Sequence, residues 1–431
     1  MLSVKNRILN IRLGELQLDY FIDAAFFAVL ITSFTIQNED NYLYKISFFV
    51  FLAFTAVKVF LRLNYDGKLK LPSVCLWYLA FTLLSLASVL WAKYPLNALE
   101  TMTRMIQILV VFFCMAQSYA TPQGFKRCAK LFCWAGIYCA VFIFAATPVS
   151  SWFSGKLGQS ATGNNVNIIG LLLSLCIILC VYYAYYQKKR IYYLFSLIEF
   201  AVITLTGSRR SMLAAIGGIV LLIFIKDRSW KLLVRMLVIL GLTAAVVYAV
   251  FNIEPLYNAI GVRFASMLEY AQTDSGDTSL LWRDQYKAYA KQFFIENPLL
   301  GIGTANFSPT LNSLIGRNTY AHNNYYELLA SNGLLGFSLY YSFYVYLAVR
   351  LSKAVFIFQN NFAKAMLTIL AVLIVSEYSI VIYRTVYIMA FICLLFLFVC
   401  AFDISASEEQ TASLIQTETN DNSKMLKGNR I

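Results

Sequence analysis

The chain contains a single histidine, His322. Imidazole is the side chain whose ordinary pKa lets it exchange a proton near neutral pH. His322 opens the segment His322-Asn323-Asn324-Tyr325-Tyr326-Glu327-Leu328-Leu329, which reads as a short helix ended by Gly333. At a helix N-terminus the dipole disfavours the imidazolium. The neutral ring can then take a proton from a hydroxyl, as a general base must. A surface or structural histidine would fit the same position, so the neighbours have to decide. Thr206-Gly207-Ser208-Arg209-Arg210-Ser211 places two adjacent arginines at a hairpin. A guanidinium binds phosphate oxygens bidentately and stays charged. Snorkelling anchors are the other reading of such residues at a membrane edge. Arg263, Arg283, Arg317 and Arg384 fall on the same predicted side. One base and several phosphate clamps are the parts needed to transfer a group away from a phosphate.

These residues must be held by membrane helices. Of the 431 residues, 60% are hydrophobic and only 13% are charged, about half the share in an ordinary soluble domain. Mean hydropathy is +0.65. This excludes a cytosolic enzyme, a disordered chain and a secreted disulfide scaffold. Apolar runs of spanning length fall at about 20–37, 42–62, 72–91, 103–119, 128–148, 166–187, 190–206, 211–225, 232–251, 334–351, 363–383 and 385–403. The fold class is therefore all-α and polytopic, with about twelve spans and one long outer loop. The parts are a bundle over 1–251, a loop with short helices over 252–333, three further spans over 334–403 and a polar, disordered tail over 404–431. The start carries Lys5, Arg7 and Arg12 without a cleavage pattern, so the first span is expected to stay.

Basic residues cluster in alternate connections: Arg62, Lys68 and Lys70; Lys126, Arg127 and Lys130; Lys188, Lys189 and Arg190; Lys226, Arg228 and Lys231; Arg350, Lys353 and Lys364. By the positive-inside bias both termini are expected to be cytoplasmic. His322 and Arg209 then lie outside. The net charge of +13 is mostly topological, so nucleic acid is not an expected partner. All nine cysteines fall in or beside spans and are expected to be free thiols.

Within the long loop, Asp277-Thr278-Ser279 can cap a helix that runs to Glu296, where Asn297-Pro298 stops it. Trp282, Tyr286, Tyr289 and Phe293 make an apolar stripe; Arg283, Lys287 and Lys291 make a basic one. Such a helix can lie on headgroups or face an anionic ligand. Glu39-Asp40 is a weaker candidate acid pair, or a metal site with Asp274 and Asp277, but no compact ligand set supports a metal. Asp23, Glu199 and Glu377 lie inside or at the edges of spans, where acids are often functional. They support an alternative reading as a transporter or flippase of envelope precursors. Gly301-Ile302-Gly303 reads as a turn, and Asn306-Phe307-Ser308 matches a glycosylation triplet that is frequent by chance.

An ordered set of motifs resembles the O-antigen ligase and O-antigen polymerase superfamily of bacterial envelope proteins. The set comprises Leu90-Trp91-Ala92-Lys93-Tyr94-Pro95, Gly163-Asn164-Asn165-Val166-Asn167 and Thr206-Gly207-Ser208-Arg209. It continues with Arg283, then Asn297-Pro298-Leu299-Leu300-Gly301-Ile302-Gly303-Thr304-Ala305-Asn306-Phe307. It closes with His322-Asn323, Glu327-Leu328-Leu329 and Gly333-Leu334-Leu335-Gly336. The resemblance covers about Leu90 to Gly336. It implies a membrane glycosyltransferase of the bacterial inner membrane. Such an enzyme moves an oligo- or polysaccharide from a polyprenyl diphosphate carrier to a hydroxyl on a glycan or lipid-linked glycan. It needs neither a cofactor nor a divalent metal. The resemblance implies His322 as the base and Arg209 as a diphosphate ligand, with Arg283 as the loop arginine and Arg263 as its competitor. Arg210 departs from the pattern, since a small residue is common there, and either arginine can be the one that meets substrate. Asn323, Glu327, Lys287 and Arg317 are secondary candidates. Ligase, polymerase and protein transferase share these motifs.

Overall fold

A computed structural model describes residues 2–36, 41–66, 71–225, 247–273 and 278–405, together with 241, 244 and 245. Glu39, Asp40, Lys68, Lys70, Lys226, Arg228, Lys231, Asp274, Asp277, most of the expected ninth span and the tail from 406 lie outside the described residues. The helices are α1 (Leu2–Thr35), α2 (Tyr42–Asp66), α3 (Ser73–Ala87), α4 (Pro95–Tyr119), α5 (Pro122–Ala146), the single turn α6 (Gln159–Thr162), α7 (Val166–Tyr185), α8 (Ile191–Leu205) and α9 (Arg209–Phe224). They continue with α10 (Val262–Thr273), α11 (Thr278–Glu296), α12 (Phe307–Ile315), α13 (Asn324–Phe356), α14 (Asn361–Glu377) and α15 (Val386–Ser405).

Eight described helices are long and apolar enough to cross a membrane. The shorter α8 and α9 follow the expected spans 190–206 and 211–225 closely, while α14 ends at Glu377, six residues short of the expected 363–383. The chain is a polytopic helical membrane protein. Its helices begin where sequence chemistry lets them. Pro95 and Pro122 sit in the first turns of α4 and α5, where the missing N–H costs nothing. Asn165, Ser208, Asn323 and Asn360 cap α7, α9, α13 and α14 with side-chain acceptors.

The most enclosed spans are α7 and α15, with 83% and 72% of their windows buried, against 22% for α2. Phe391 of α15 packs on Phe132 of α5 at 4.5 Å between ring centroids, and Phe398 meets Phe125 at 5.4 Å. Ring packing of this kind holds helices together where lipid offers no hydrophobic drive. All nine cysteines are free, and eight are buried.

The expected tenth span begins earlier than read, at Asn324, and breaks at Gly333 (φ 62°, ψ −168°). That backbone region is essentially restricted to glycine. The break frees carbonyls that a neighbouring strap takes up. Ile302 and Gly303 N–H donate to the carbonyls of Ala330 and Ser331, both at 2.9 Å. Leu334 and Leu335 N–H donate to those of Pro298 and Leu299, at 2.8 and 3.2 Å. Gly301 (φ +68°) lets the strap come this close, for a Cβ there would stand 2.5 Å from the carbonyl carbon of Ser331.

The same strap ties in the connection between α3 and α4. Tyr94 N–H donates to Asn306 Oδ1 at 2.7 Å, and Asn306 Nδ2 donates back to the Tyr94 carbonyl at 3.2 Å. Trp91 Nε1 donates to the Gly301 carbonyl at 3.2 Å, and Asn332 Nδ2 donates to Thr304 Oγ1 at 2.7 Å. Three motifs that stand far apart in sequence are thus one structural unit. The Gly301-Ile302-Gly303 turn is borne out, and the buried Asn306 of the glycosylation triplet is a strap anchor.

Candidate functional site

The hairpin between α8 and α9, the start of α10 and the first turns of α11 meet at a chamber of about 290 Å³. It is lined by Asn167, Gly207, Arg209, Arg210, Arg263, Ser266, Ser279 and Arg283. Four guanidinium groups converge there, and no carboxylate belongs to the lining among the described residues. Backbone carbonyls hold three of them in place. Arg209 Nη1 donates to the Arg263 carbonyl, Arg263 Nη1 to the Gly207 carbonyl at 3.1 Å, and Arg210 Nη1 to the Ser379 carbonyl at 3.2 Å. A carbonyl orients a guanidinium without cancelling its charge. Ser208 caps α9 and donates through Oγ to Asn167 Oδ1 at 2.9 Å, so the hairpin is pinned to the first turn of α7.

Arg209 and Arg210 both reach the chamber, but they differ in what else they touch. Arg210 also lines a second cavity of about 520 Å³, a groove walled by residues of α9 and α14 such as Leu213, Gly217, Val372 and Val375. Tyr378, Ser379 and Ile380 close its upper wall. A cationic chamber and an apolar groove therefore share one arginine.

His322 stands beside this pair. It precedes the cap residue Asn323 rather than sitting in the first turn of α13, which corrects the expected helix-terminal position. Its φ is +52°, a left-handed conformation uncommon for a side chain of this size. The ring lies between Tyr320 (4.0 Å) and Tyr286 (5.9 Å, near-parallel). Nε2 is 3.3 Å from Thr319 Oγ1. Burial pushes the imidazole pKa down to about 3, with the positive charges of Arg283 and Arg210 adding to the effect. The ring is therefore neutral, by burial and neighbouring arginines rather than by the helix dipole expected from sequence.

The secondary candidates separate. Asn323 caps α13 and donates to the Tyr378 carbonyl at 3.0 Å. Glu327, enclosed, accepts from Ala321 N–H at 2.7 Å and so braces the histidine loop. Lys287 pairs with Asp284 at 2.7 Å and lies over the Tyr378 ring at 5.1 Å, outside the chamber lining. Arg317 is exposed and stacks on Trp282 at 4.5 Å. The helix expected after Asp277-Thr278 runs from Thr278 to Glu296 as read. Its apolar stripe packs inward, however: Tyr286, Ala290 and Phe293 form a small core with Phe307, Leu311, Ala321 and Ala330. Protein covers the face at Tyr286, Tyr289 and Phe293, while Trp282 stays exposed. Of its basic stripe, only Arg283 lines the chamber.

Sequence reasoning missed Asn167, Ser266 and Ser279 in the lining, and the Tyr378–Ile380 wall. The polar Gly163–Asn167 motif gave a signal for Asn167; nothing in the sequence marks the others.

Fold and site define a multi-pass membrane protein with a cationic chamber beside an apolar groove and a neutral histidine. Residues 194–341, which hold all four arginines and His322, match the family model described as O-antigen ligase. This match supports the O-antigen ligase and polymerase superfamily that the motifs resemble, and with it an O-antigen ligase-type membrane enzyme. No curated protein matches the chain.

Proposed function

We propose that the chain is a metal-independent, inverting glycosyltransferase that moves an oligo- or polysaccharide from a polyprenyl diphosphate carrier to an acceptor hydroxyl. One observation carries this reading: Arg210 lines both the four-arginine chamber and the apolar groove. An amphiphile with a diphosphate head and a hydrocarbon tail needs both surfaces, contiguous and in that order. In this reading Arg209, Arg210, Arg263 and Arg283 bind the diphosphate, and the tail lies along α9 and α14.

The acceptor oxygen attacks the anomeric carbon as the bond from that carbon to the diphosphate oxygen breaks. His322 takes the acceptor proton, and the diphosphate leaves on its carrier. Charge that develops on the leaving oxygens meets guanidiniums already oriented by carbonyls, so little reorganisation is needed in the transition state. The resting imidazole is a weak base because burial disfavours its charged form and because Arg283 and Arg210 stand beside it. A bound diphosphate offsets that field and makes the ring more basic when a donor is present. Basic connections such as Lys188-Lys189-Arg190, at the ends of helices opposite the site, support an extracytoplasmic site with cytoplasmic termini. The membrane is then the bacterial inner membrane.

The test is a gel of carrier-linked and surface glycans from a deletion strain complemented with wild type or His322→Ala. Wild type should restore the product. His322→Ala should lose it at equal protein level, since a general base contributes about 10²–10⁴-fold. Single repeats in place of a ladder in the deletion strain would mean a polymerase; a full polymer stranded on its carrier would mean a ligase. Wild-type glycans from His322→Ala would overturn the mechanism.

A further inference from the structure

Glu377 is the last residue of α14 and is fully enclosed. A buried acid at the end of an apolar helix in a membrane protein is costly and needs its lone pairs occupied. Here it has three donors. Asn324 Nδ2 donates to Oε2 at 3.0 Å, Tyr341 OH to the same oxygen at 2.5 Å, and Tyr344 OH to Oε1 at 2.5 Å. All three belong to α13, so the carboxylate draws the end of α14 onto the helix that begins just after His322.

What surrounds this contact gives it a role. Asn324 also accepts the N–H of Ile382 at 3.1 Å through Oδ1. Asn323 donates to the carbonyl of Tyr378, and Arg210 donates to that of Ser379. The connector Tyr378–Arg384 therefore holds the histidine segment at two points and a chamber arginine at a third. It begins at the residue after Glu377. The same connector supplies Tyr378, Ser379 and Ile380 to the wall of the apolar groove. His322 itself sits in a left-handed conformation that persists only where the surroundings over-determine it.

We propose that Glu377 is a positioning residue for the transfer reaction, fixing the His322 segment and Arg210 relative to one another through Asn324 and the Tyr378–Arg384 connector. This rests on the function proposed above. Glu377 touches neither the chamber nor the groove, so its loss disturbs the geometry between base and clamp and leaves donor affinity in place. Misplacement by an ångström is enough to slow a reaction about 100-fold.

The experiment is a detergent-solubilised transfer assay with a polyprenyl diphosphate-linked glycan, on full-length wild type, Glu377→Gln, Tyr344→Phe and His322→Ala. Glutamine keeps the volume but presents an amide to donors that expect an acceptor. Glu377→Gln should lower kcat about 10–100-fold, hold the donor KM within about twofold, and leave the acid limb of the kcat profile at its wild-type pH. Tyr344→Phe should lower kcat in the same direction and less. An unchanged kcat in Glu377→Gln, or a raised KM with kcat unchanged, overturns the proposal. If Glu377→Gln does not fold, Tyr344→Phe is judged by the same criteria; a lowered melting temperature with wild-type kcat in that variant reduces the network to a structural tie. His322→Ala separates the two levels. An inactive His322→Ala beside a normal Glu377→Gln sinks only the positioning role. An active His322→Ala sinks the function on which it rests.

Discussion

Two charged regions lie at opposite ends of α4, and they handle arginine differently. At its start, Tyr94 is bonded to the strap beside the site. At its end, Ser118 accepts from Lys58 Nζ at 3.2 Å, which also pairs with Asp19 at 2.6 Å. Arg127 joins that group, 2.7 Å from Asp19 and 2.9 Å from Asp23. The 25 residues of α4 span roughly 37 Å at 1.5 Å per residue, enough to cross a hydrocarbon core of about 30 Å. At the far end, cations meet carboxylates, and the charge is spent on joining α1, α2 and α5. At the site end Arg209, Arg210 and Arg263 each donate to a backbone carbonyl, a partner that orients a guanidinium and carries no charge of its own. The contrast is between an arginine tied to carboxylates, with Asp23 among its partners, and arginines that line a cationic chamber.

The sharpest way to break this contrast is to truncate one arginine at each end. Arg210→Ala should cut transfer about 100- to 1,000-fold, as losing one transition-state donor does, while the melting temperature in detergent stays near wild type. A collapse of Arg210→Ala in thermal melting, with normal turnover per folded molecule, would put Arg210 in the same class as Arg127.

Gly333→Ala comes next. It forces a side chain into a backbone region reserved for glycine, and the new Cβ would stand 2.3 Å from the Leu299 carbonyl oxygen. Strain of about 1–3 kcal/mol plus the clash should lower the melting temperature and loosen the strap. Unchanged melting would show that the break is not needed. Arg127→Ala leaves Asp19 and Asp23 short of a partner. It should cost roughly 1–3 kcal/mol, since the pair is only partly enclosed, with kcat per folded molecule retained. Lost turnover at full stability would mean that the far network acts on the site.

How much of this was legible in the sequence follows the same division. The sole histidine and the adjacent arginines Arg209 and Arg210 stood out by type, and the structure gathers the arginines with Arg263 and Arg283 in one chamber beside His322. Helix starts were legible where Asn, Ser or Pro marks them. The pairing of Trp91, Tyr94, Asn306 and Asn332 was not, because these side-chain bonds reach partners far off in the chain that no local spacing marks. Nor could periodicity reveal that α11 turns its aromatic stripe onto Phe307 and Leu311, since an apolar face looks the same whether lipid or protein covers it. The central place of α7 and α15 is hidden for the same reason: in a chain this apolar, every span reads as buried.

A smaller effect tests the electrostatic half of the contrast. His322 is the sole histidine, so its ring resonances are unambiguous in a ¹³C-labelled sample. Its pKa, about 3 in the resting site, is lowered by burial and then by Arg283 and Arg210. Arg283→Gln removes one of those positive charges, so protonation becomes less unfavourable and the pKa must rise. Donor-analogue binding should move it the same way, since a diphosphate adds negative charge. Because the folded pKa lies below the ordinary value of about 6.5, the neutral ring's share of stability is complete above pH 6.5 and falls away as the pH drops toward 3. A titration unmoved by Arg283→Gln would mean that burial alone sets the ring, and that the chamber's field does not reach it.

The smallest effect is expected at Gly217, on the groove face of α9. A Cβ there meets nothing within 4 Å, so Gly217→Ala adds no clash and removes backbone freedom from a helix. That should stabilise the protein by about 0.4–1 kcal/mol. The added methyl also enters the groove, where it narrows the path assigned to a prenyl tail. If the tail lies there, the donor KM should shift by less than about tenfold, the range for one methyl in an apolar pocket, with kcat unchanged for a donor of any chain length. A short-chain donor that ends before Gly217 should not sense the substitution at all. Equal shifts for short and long donors would place the tail elsewhere and leave the chamber without its groove.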